Sequence, residues 1–282
     1  MLSAYIHIEK TGGQSLNFIL RNSFGLQHCD VLSINKDVDY LDAKEFLGLS
    51  KLFPNIKSIS GHKVKPYSDL TGQIDKDIFY FTFLRDPIQR MISHYQFIVT
   101  HFPKFASPFP EWVKNVNQHN LMTKKICGED SLDEAIRVIN DRLGFIGLFE
   151  EYNLSMQMLD FFMPHDLNLY AVRKNNPKEN AARNSILNNP EWLEMVVECN
   201  RNDTGLYNYI KEEIFPKQKE KYESHQPINH YIKESSWSYM KNRIHRNTIY
   251  KGYVLFNSII SNKEFKIPKQ MVGIIRKELR HQ

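Results

Sequence analysis

Tyr5-Ile6-His7-Ile8-Glu9-Lys10-Thr11-Gly12-Gly13-Gln14-Ser15-Leu16 is the stretch whose reading decides the fold. Tyr5 to Ile8 is a short β-prone run, and an amphipathic pattern resumes at Leu16 and continues through Phe18, Ile19 and Leu20. Between them lies a loop with two adjacent glycines, preceded by Lys10 and followed by Ser15. Glycine lets backbone N–H groups turn inward around an anion with no Cβ in the way. The following helix would point its free N–H groups and the positive end of its dipole at the same spot. Lys10 adds a full charge, and Thr11 and Ser15 add hydroxyl donors. The pattern suits a phosphate-like anion, although a tight turn with a helix cap at Ser15 uses the same residues. It is not a Walker A loop, in which the lysine follows the glycines. That order of residues steers the reading away from hydrolysis of a nucleoside triphosphate.

A second stretch runs from Ile78 to Phe97, Ile-Phe-Tyr-Phe-Thr-Phe-Leu-Arg-Asp-Pro-Ile-Gln-Arg-Met-Ile-Ser-His-Tyr-Gln-Phe. Its first seven residues, Ile78 to Leu84, are almost continuously apolar, as suits a parallel strand covered on both faces. Asp86 then caps a helix over Ile88 to Val99, with Pro87 in the first turn.

Lys10 to Ser15, together with Leu84-Arg85-Asp86-Pro87 through Arg90, Ser93, His94 and Tyr95, resemble the sulfotransferases that use 3′-phosphoadenosine-5′-phosphosulfate (PAPS). The likeness is to the branch containing the heparan sulfate and chondroitin O-sulfotransferases and many bacterial relatives. It is strong at the two motifs and weaker over the rest of the chain to about Ile214. The resemblance implies a three-layer α/β sandwich around a mainly parallel sheet, akin to the P-loop kinases. It implies PAPS as sulfuryl donor, no metal, and a hydroxyl-bearing acceptor, a glycan or glycolipid. By the same resemblance Lys10, Thr11, Gly12, Gly13, Gln14, Ser15 and Leu16 hold the 5′-phosphosulfate, and Arg85 and Ser93 hold the 3′-phosphate. His62, in a Gly61-His62 pair after a strand, corresponds to the catalytic base, with Lys10 opposing charge on the leaving phosphate. The chain departs from the family at Glu9, where proline is usual, and at Gln14, where threonine or alanine is usual. A carboxylate beside a phosphate site is unfavourable unless it points away. Glu9 is also the competing base, ranked second because attraction to Lys10 should lower its basicity. His7 reads as a packing residue of the first strand and His94 as a surface residue or a support for the 3′-phosphate grip.

Further along, helices are expected over Ser15–Phe24, Asp39–Lys51, Leu154–Phe162, Pro190–Glu198 and Asp203–Phe215, and strands over Cys29–Ile34, Ile56–Ser60 and Leu167–Val172. Ser131 and Glu134 form a capping box for a helix to Asp141. The proline- and aromatic-rich segment His101 to Trp112 reads either as an acceptor-facing lid or as a packed connector. Glu150 is expected to orient its neighbours, and Asn202-Asp203 with Leu206-Tyr207 match the family's ending. Residues 216–282 are polar and basic to Arg246 and then β-prone from Ile249 to Ile260. With no repeat or linker, the chain reads as one domain, 1–282, with a catalytic core to about 215 and a C-terminal extension.

The formal net charge of +5 favours an anionic donor or an acidic glycan and falls short of a nucleic-acid signature. Three distant cysteines, Cys29, Cys127 and Cys199, have no metal spacing and read as reduced thiols. Met1 lies close to the first strand and no stretch approaches the ~20 apolar residues of a membrane span. The expectation is a bacterial, cytoplasmic protein rather than an excised domain of an anchored one. Two alternatives stay open: a nucleotide-dependent kinase, disfavoured by the lysine position and the want of Mg²⁺ carboxylates, and a non-catalytic protein binding the spent donor or a glycan.

Overall fold

The computed structural model describes residues 1–31, 38–53, 55–68, 70, 77–169, 180–225 and 236–245. The first half alternates strand and helix: β1 Leu2–Ile6, α1 Gly13–Phe24, β2 His28–Asp30, α2 Ala43–Leu52, β3 Ser58–Gly61, β4 Ile78–Leu84 and α3 Pro87–His101. There follow α4 Phe109–Trp112, α5 Leu121–Cys127, α6 Leu132–Arg142, β5 Leu143–Leu148 and α7 Tyr152–Phe162. The chain then turns helical, with α8 Ala181–Leu187, α9 Pro190–Cys199, α10 Arg201–Tyr209, α11 Phe215–Glu223 and α12 Ser236–His245.

The five strands form one sheet in the order β2-β3-β1-β4-β5, and every pair is parallel. Helices cover it, giving the α/β architecture expected from the two motifs. Phe81, Phe83, Ile59, Phe145 and all of β1 are buried, because a parallel sheet flanked by helices leaves neither face to water. β1 sits between β3 and β4, with Ile6 opposite both Gly61 and Thr82. The chain leaves β1 toward β2 on one side and later crosses from β3 to β4 on the other. Such a reversal opens a crevice at the carboxyl ends of the strands. The turns after β1, β3 and β4 all reach that edge.

Several boundaries differ from expectation for identifiable reasons. β1 starts at Leu2 and ends at Ile6, so His7 and Ile8 begin the loop. Leu2 N already bonds to Asp77 O, and the pairing is set by β3 and β4 rather than by local β-propensity. α1 begins at Gly13, and its cap is Gly12 in the left-handed conformation, not the Ser15 side chain. α2 starts at Ala43, where Asp42 accepts from Glu45 N at 2.8 Å. β2 is the short His28–Asp30 run; positions 32–34 of the expected strand lie outside the described residues. Leu167 to Leu169 is not a strand, and the rest of that segment is likewise outside. The helix expected to stop at Phe215 continues through Pro216 by way of a π-helical turn, Ile210–Ile214. Proline offers no N–H and crowds the carbonyl four residues back, and a π-turn absorbs both.

Beyond residue 215, α11 packs on α7 and β5, burying Tyr222, and α12 packs on α1. The β-prone run Ile249–Ile260 lies outside the described residues.

Candidate active site

The loop after β1 is the centre of the crevice. Gly12 has φ 91°, and a Cβ there would stand 2.6 Å from the Tyr152 ring. A Cβ on Gly13 would stand 2.0 Å from His7 Nε2, so the His7 imidazole occupies the space this glycine vacates. The pair therefore serves a left-handed turn and two close packings. No side chain caps α1, and the first ladder bond runs from Leu16 N to Gly12 O at 3.3 Å. The amides of Gly13, Gln14 and Ser15 precede that bond and face the loop. Gln14 is exposed, Ser15 half-buried and Leu16 buried, so Leu16 has only backbone to offer. Thr11 corrects one expectation: its buried hydroxyl donates to Ile8 O at 3.0 Å and is turned into the protein.

Lys10, at φ 69°, sends Nζ over the Phe97 ring, 4.4 Å from its centroid. Arg85 donates to Lys10 O at 3.2 Å and lies over the Phe149 ring at 4.5 Å. Burial, reinforced by Arg85, pulls the Lys10 ammonium down to about 8. Neither cation is ion-paired among the described residues. On α3, Arg90, Ser93 and Phe97 fall on one stripe by helical spacing. Phe97 touches Lys10, so half-buried Ser93 lies on the stripe that faces the loop. The base of this arrangement is braced by Glu150, which accepts from Asp86 N and from Tyr207 Oη, each at 2.9 Å. Asp86 in turn caps α3 by accepting from Gln89 N at 2.8 Å.

On the other side of β1, His62 follows Gly61 at the end of β3. Its Nδ1 lies 2.9 Å from His7 O and 3.3 Å from Glu9 Oε1, and its ring stacks on His7 at 4.2 Å. Glu9 does not pair with Lys10, as the adjacency in sequence suggested, but with His62 and with Lys125 at 3.6 Å. Burial works against its charge, yet His62 and Lys125 outweigh it and hold the carboxyl at about 2. Glu9 is thereby committed away from the two cations of the cradle, and its low basicity stands on different partners from those expected. His7 is held neutral, lowered to about 3 by burial and by His62. His94 is half-buried rather than on the surface, edge-on to Trp112 at 5.8 Å, and burial with Arg90 lowers it to about 4.

Lys125 is a residue that sequence reasoning missed, and Arg90, quoted within the second motif, was given no role of its own there. Arg90 is completely buried, and none of its guanidinium nitrogens meets a hydrogen-bond acceptor among the described residues; Asp203 and Glu9 oppose its charge from a distance. Its place in the second motif, three residues before Ser93, was the signal the sequence offered. Lys125 sits in a Lys124-Lys125 pair that reads as an ordinary basic surface, yet its Nζ reaches both Glu9 and the His62 carbonyl. Among the described residues no group of three or more His, Cys, Asp or Glu side chains is gathered to hold a metal. No helix there is long and apolar enough to cross a membrane.

An all-parallel α/β sheet, with an uncapped helix N-terminus and, among the described residues, two cations outside any ion pair at its carboxyl edge, makes a candidate anion site. The chain belongs to the sulfotransferase family, whose family model matches residues 4–144, half of its length. That match spans β1 to α6 and so includes the first loop, His62, Arg85 and Ser93. No curated protein matches the chain.

Proposed function

We propose that this protein transfers the sulfuryl group of PAPS to a hydroxyl of a carbohydrate acceptor. The observation that carries the reading is the juxtaposition of Lys10 and Arg85, two partly buried cations that form no ion pair among the described residues, with Glu150 and Asp86 opposing the charge of Arg85 only from a distance, beside the uncapped start of α1. Bringing like charges together out of water costs free energy that a bound phosphosulfate would offset. The donor set fits such a ligand: amides of Gly13, Gln14 and Ser15 for the 5′-phosphate, and Arg85 with Ser93 for the 3′-phosphate, the guanidinium being suited to bidentate contact.

The base is His62. A carbonyl oxygen only accepts, so the 2.9 Å contact with His7 O places the hydrogen of neutral His62 on Nδ1. Nε2 is then the acceptor atom. As the hydroxyl oxygen of the acceptor bonds to sulfur, its proton passes to Nε2 and the bond from sulfur to the phosphate oxygen breaks. Lys10 opposes the charge left on that phosphate, and Glu9 opposes the imidazolium. Positioning and charge carry most of the rate, as in phosphoryl transfer. Three unpaired cysteines accord with a reducing, cytoplasmic setting.

Incubation with ³⁵S-labelled PAPS and mixed oligosaccharides tests the reading. Label should enter the saccharide, one 3′,5′-bisphosphate (PAP) should appear per transfer, and chelators should not matter. Phosphate transfer from ATP that stops with EDTA would replace this assignment with a kinase, and PAP binding without turnover would replace it with a binding protein.

A further inference from the structure

We propose that the cavity at the carboxyl end of α3 is a subsite for an uncharged saccharide of the acceptor, an assignment that rests on the sulfuryl-transfer reading. The cavity has a volume of about 490 Å³, within the range of small-molecule sites, and is lined by Phe102, Phe105, Trp112, Ser107, Glu111 and Asn115 together with Ile98. It is made by the proline-rich segment between α3 and α5, which left lid and connector equally open as sequence.

Its walls are held in place. Phe105 N bonds to Phe102 O at 2.9 Å in a turn that begins at Pro103. Tyr95 Oη donates to Ser107 O at 3.0 Å and ties the segment to α3. Trp112 packs on Tyr95 and on Phe109, leaving little freedom to its ring. Phe105 nonetheless stays 70 % exposed, a large aromatic presented at the rim.

The cavity connects to Lys10 through aromatic contacts. Lys10 Nζ lies over Phe97, and Phe97 meets Phe102 with ring centroids 5.7 Å apart. Trp112, also in the lining, meets His94, one residue from Ser93. Two ring contacts therefore separate the catalytic lysine from the lining.

The lining chooses among acceptors. A sugar ring presents a C–H face to aromatic side chains and O–H groups at its edge to a carboxylate, an amide and a hydroxyl. An aliphatic alcohol would cover Glu111 and supply its carboxylate with no donor along the chain. A polyanionic glycan would set like charge against Glu111, and among the described residues no lysine or arginine lines the cavity to compensate. Lys104 and Lys114, the basic residues nearest in sequence, are exposed and outside the lining. The local chemistry thus runs against the acidic glycan that the net charge of +5 favoured.

Saturation-transfer NMR on the full chain tests this with cellotetraose, maltotetraose, chitotetraose, a heparin tetrasaccharide and hexanol as probes. At least one uncharged tetrasaccharide should receive saturation, and Phe105→Ala and Glu111→Ala should each weaken it about fivefold. Both side chains are exposed, and PAP affinity by calorimetry should stay unchanged in both variants, which also shows that they fold. The proposal is overturned if no uncharged saccharide binds, if heparin or hexanol binds as strongly, or if both variants keep full saccharide binding. Saccharide binding without PAP binding would sink the sulfuryl-transfer reading and leave the saccharide cavity standing. PAP binding without saccharide binding would do the reverse.

Discussion

His62 Nδ1 donates to the backbone carbonyl of His7 across 2.9 Å, joining the end of β3 to the loop after β1. The contact sets both the tautomer and the direction of the ring, with Glu9 at 3.3 Å completing the grip. If this imidazole is the base, His62→Ala should lose about 10²–10⁴ in turnover. PAP affinity should hardly change, because the ring serves the acceptor side. Glu9→Gln, which keeps the shape and removes the charge, should lose less than His62→Ala. Single-turnover rates with saturating acceptor, alongside calorimetry, separate these outcomes; near-normal turnover in His62→Ala would remove it from the mechanism.

Lys10 should make donor affinity depend on pH. Its ammonium is lowered to about 8 by burial and then by Arg85, and a bound anion would raise it again. Binding should therefore be strongest below pH 8 and weaken as the pH rises through that value, with proton uptake on binding in the same interval. Calorimetry of PAP between pH 7 and pH 10 in two buffers of different ionisation enthalpy reads both effects. Lys10→Arg should flatten the profile, since a guanidinium stays charged throughout.

Arg85 should discriminate the 3′-phosphate. Loss of a charged hydrogen bond costs ~1.5–3 kcal/mol, roughly tenfold to a hundredfold in affinity. Arg85→Ala should show this loss for PAP and little of it for adenosine 5′-monophosphate. Equal weakening of both ligands would place Arg85 at the 5′-phosphate or in the scaffold.

Asp203 concerns stability rather than turnover. From α10 it accepts Met122 N at 3.0 Å, Thr123 N at 2.8 Å and Thr123 Oγ1 at 2.8 Å, capping α5 from another helix. Burial pushes its carboxyl up against the pull of Arg90 and these donors. Asp203→Ala should cost about 3–5 kcal/mol, because it strands two amides and leaves Glu9 as the remaining carboxylate acting on buried Arg90. Urea unfolding measures this, and a loss under ~1 kcal/mol would show that the cap contributes little.

Much of the fold was legible from periodicity and punctuation. Ile78–Leu84 is a strand at the bounds its apolar run suggested, and Asp86-Pro87 starts α3 as capping chemistry requires. Ser131 caps α6 through Glu134 N at 3.3 Å. These signals are local, so a few neighbouring residues suffice to express them. The end of β1, the course through Pro216 and the burial of His94 were not legible, since each depends on what another segment places alongside.

The candidate site divides the same way. Sequence alone determined that a glycine pair follows a strand, that a lysine precedes it, and that arginine and serine stand eight residues apart across a helix start. Backbone stereochemistry and helical spacing are properties of the chain itself, which is why those features could be read without coordinates. Only the tertiary structure decided that Glu9 turns to His62 and Lys125 instead of Lys10, and that Thr11 spends its hydroxyl on Ile8. Likewise it alone brought Phe97 and Phe102 between the lysine and a saccharide-sized cavity. Partners separated by tens of residues are chosen by the order of strands in the sheet and by which side chains burial forces together, and neither is written in local spacing.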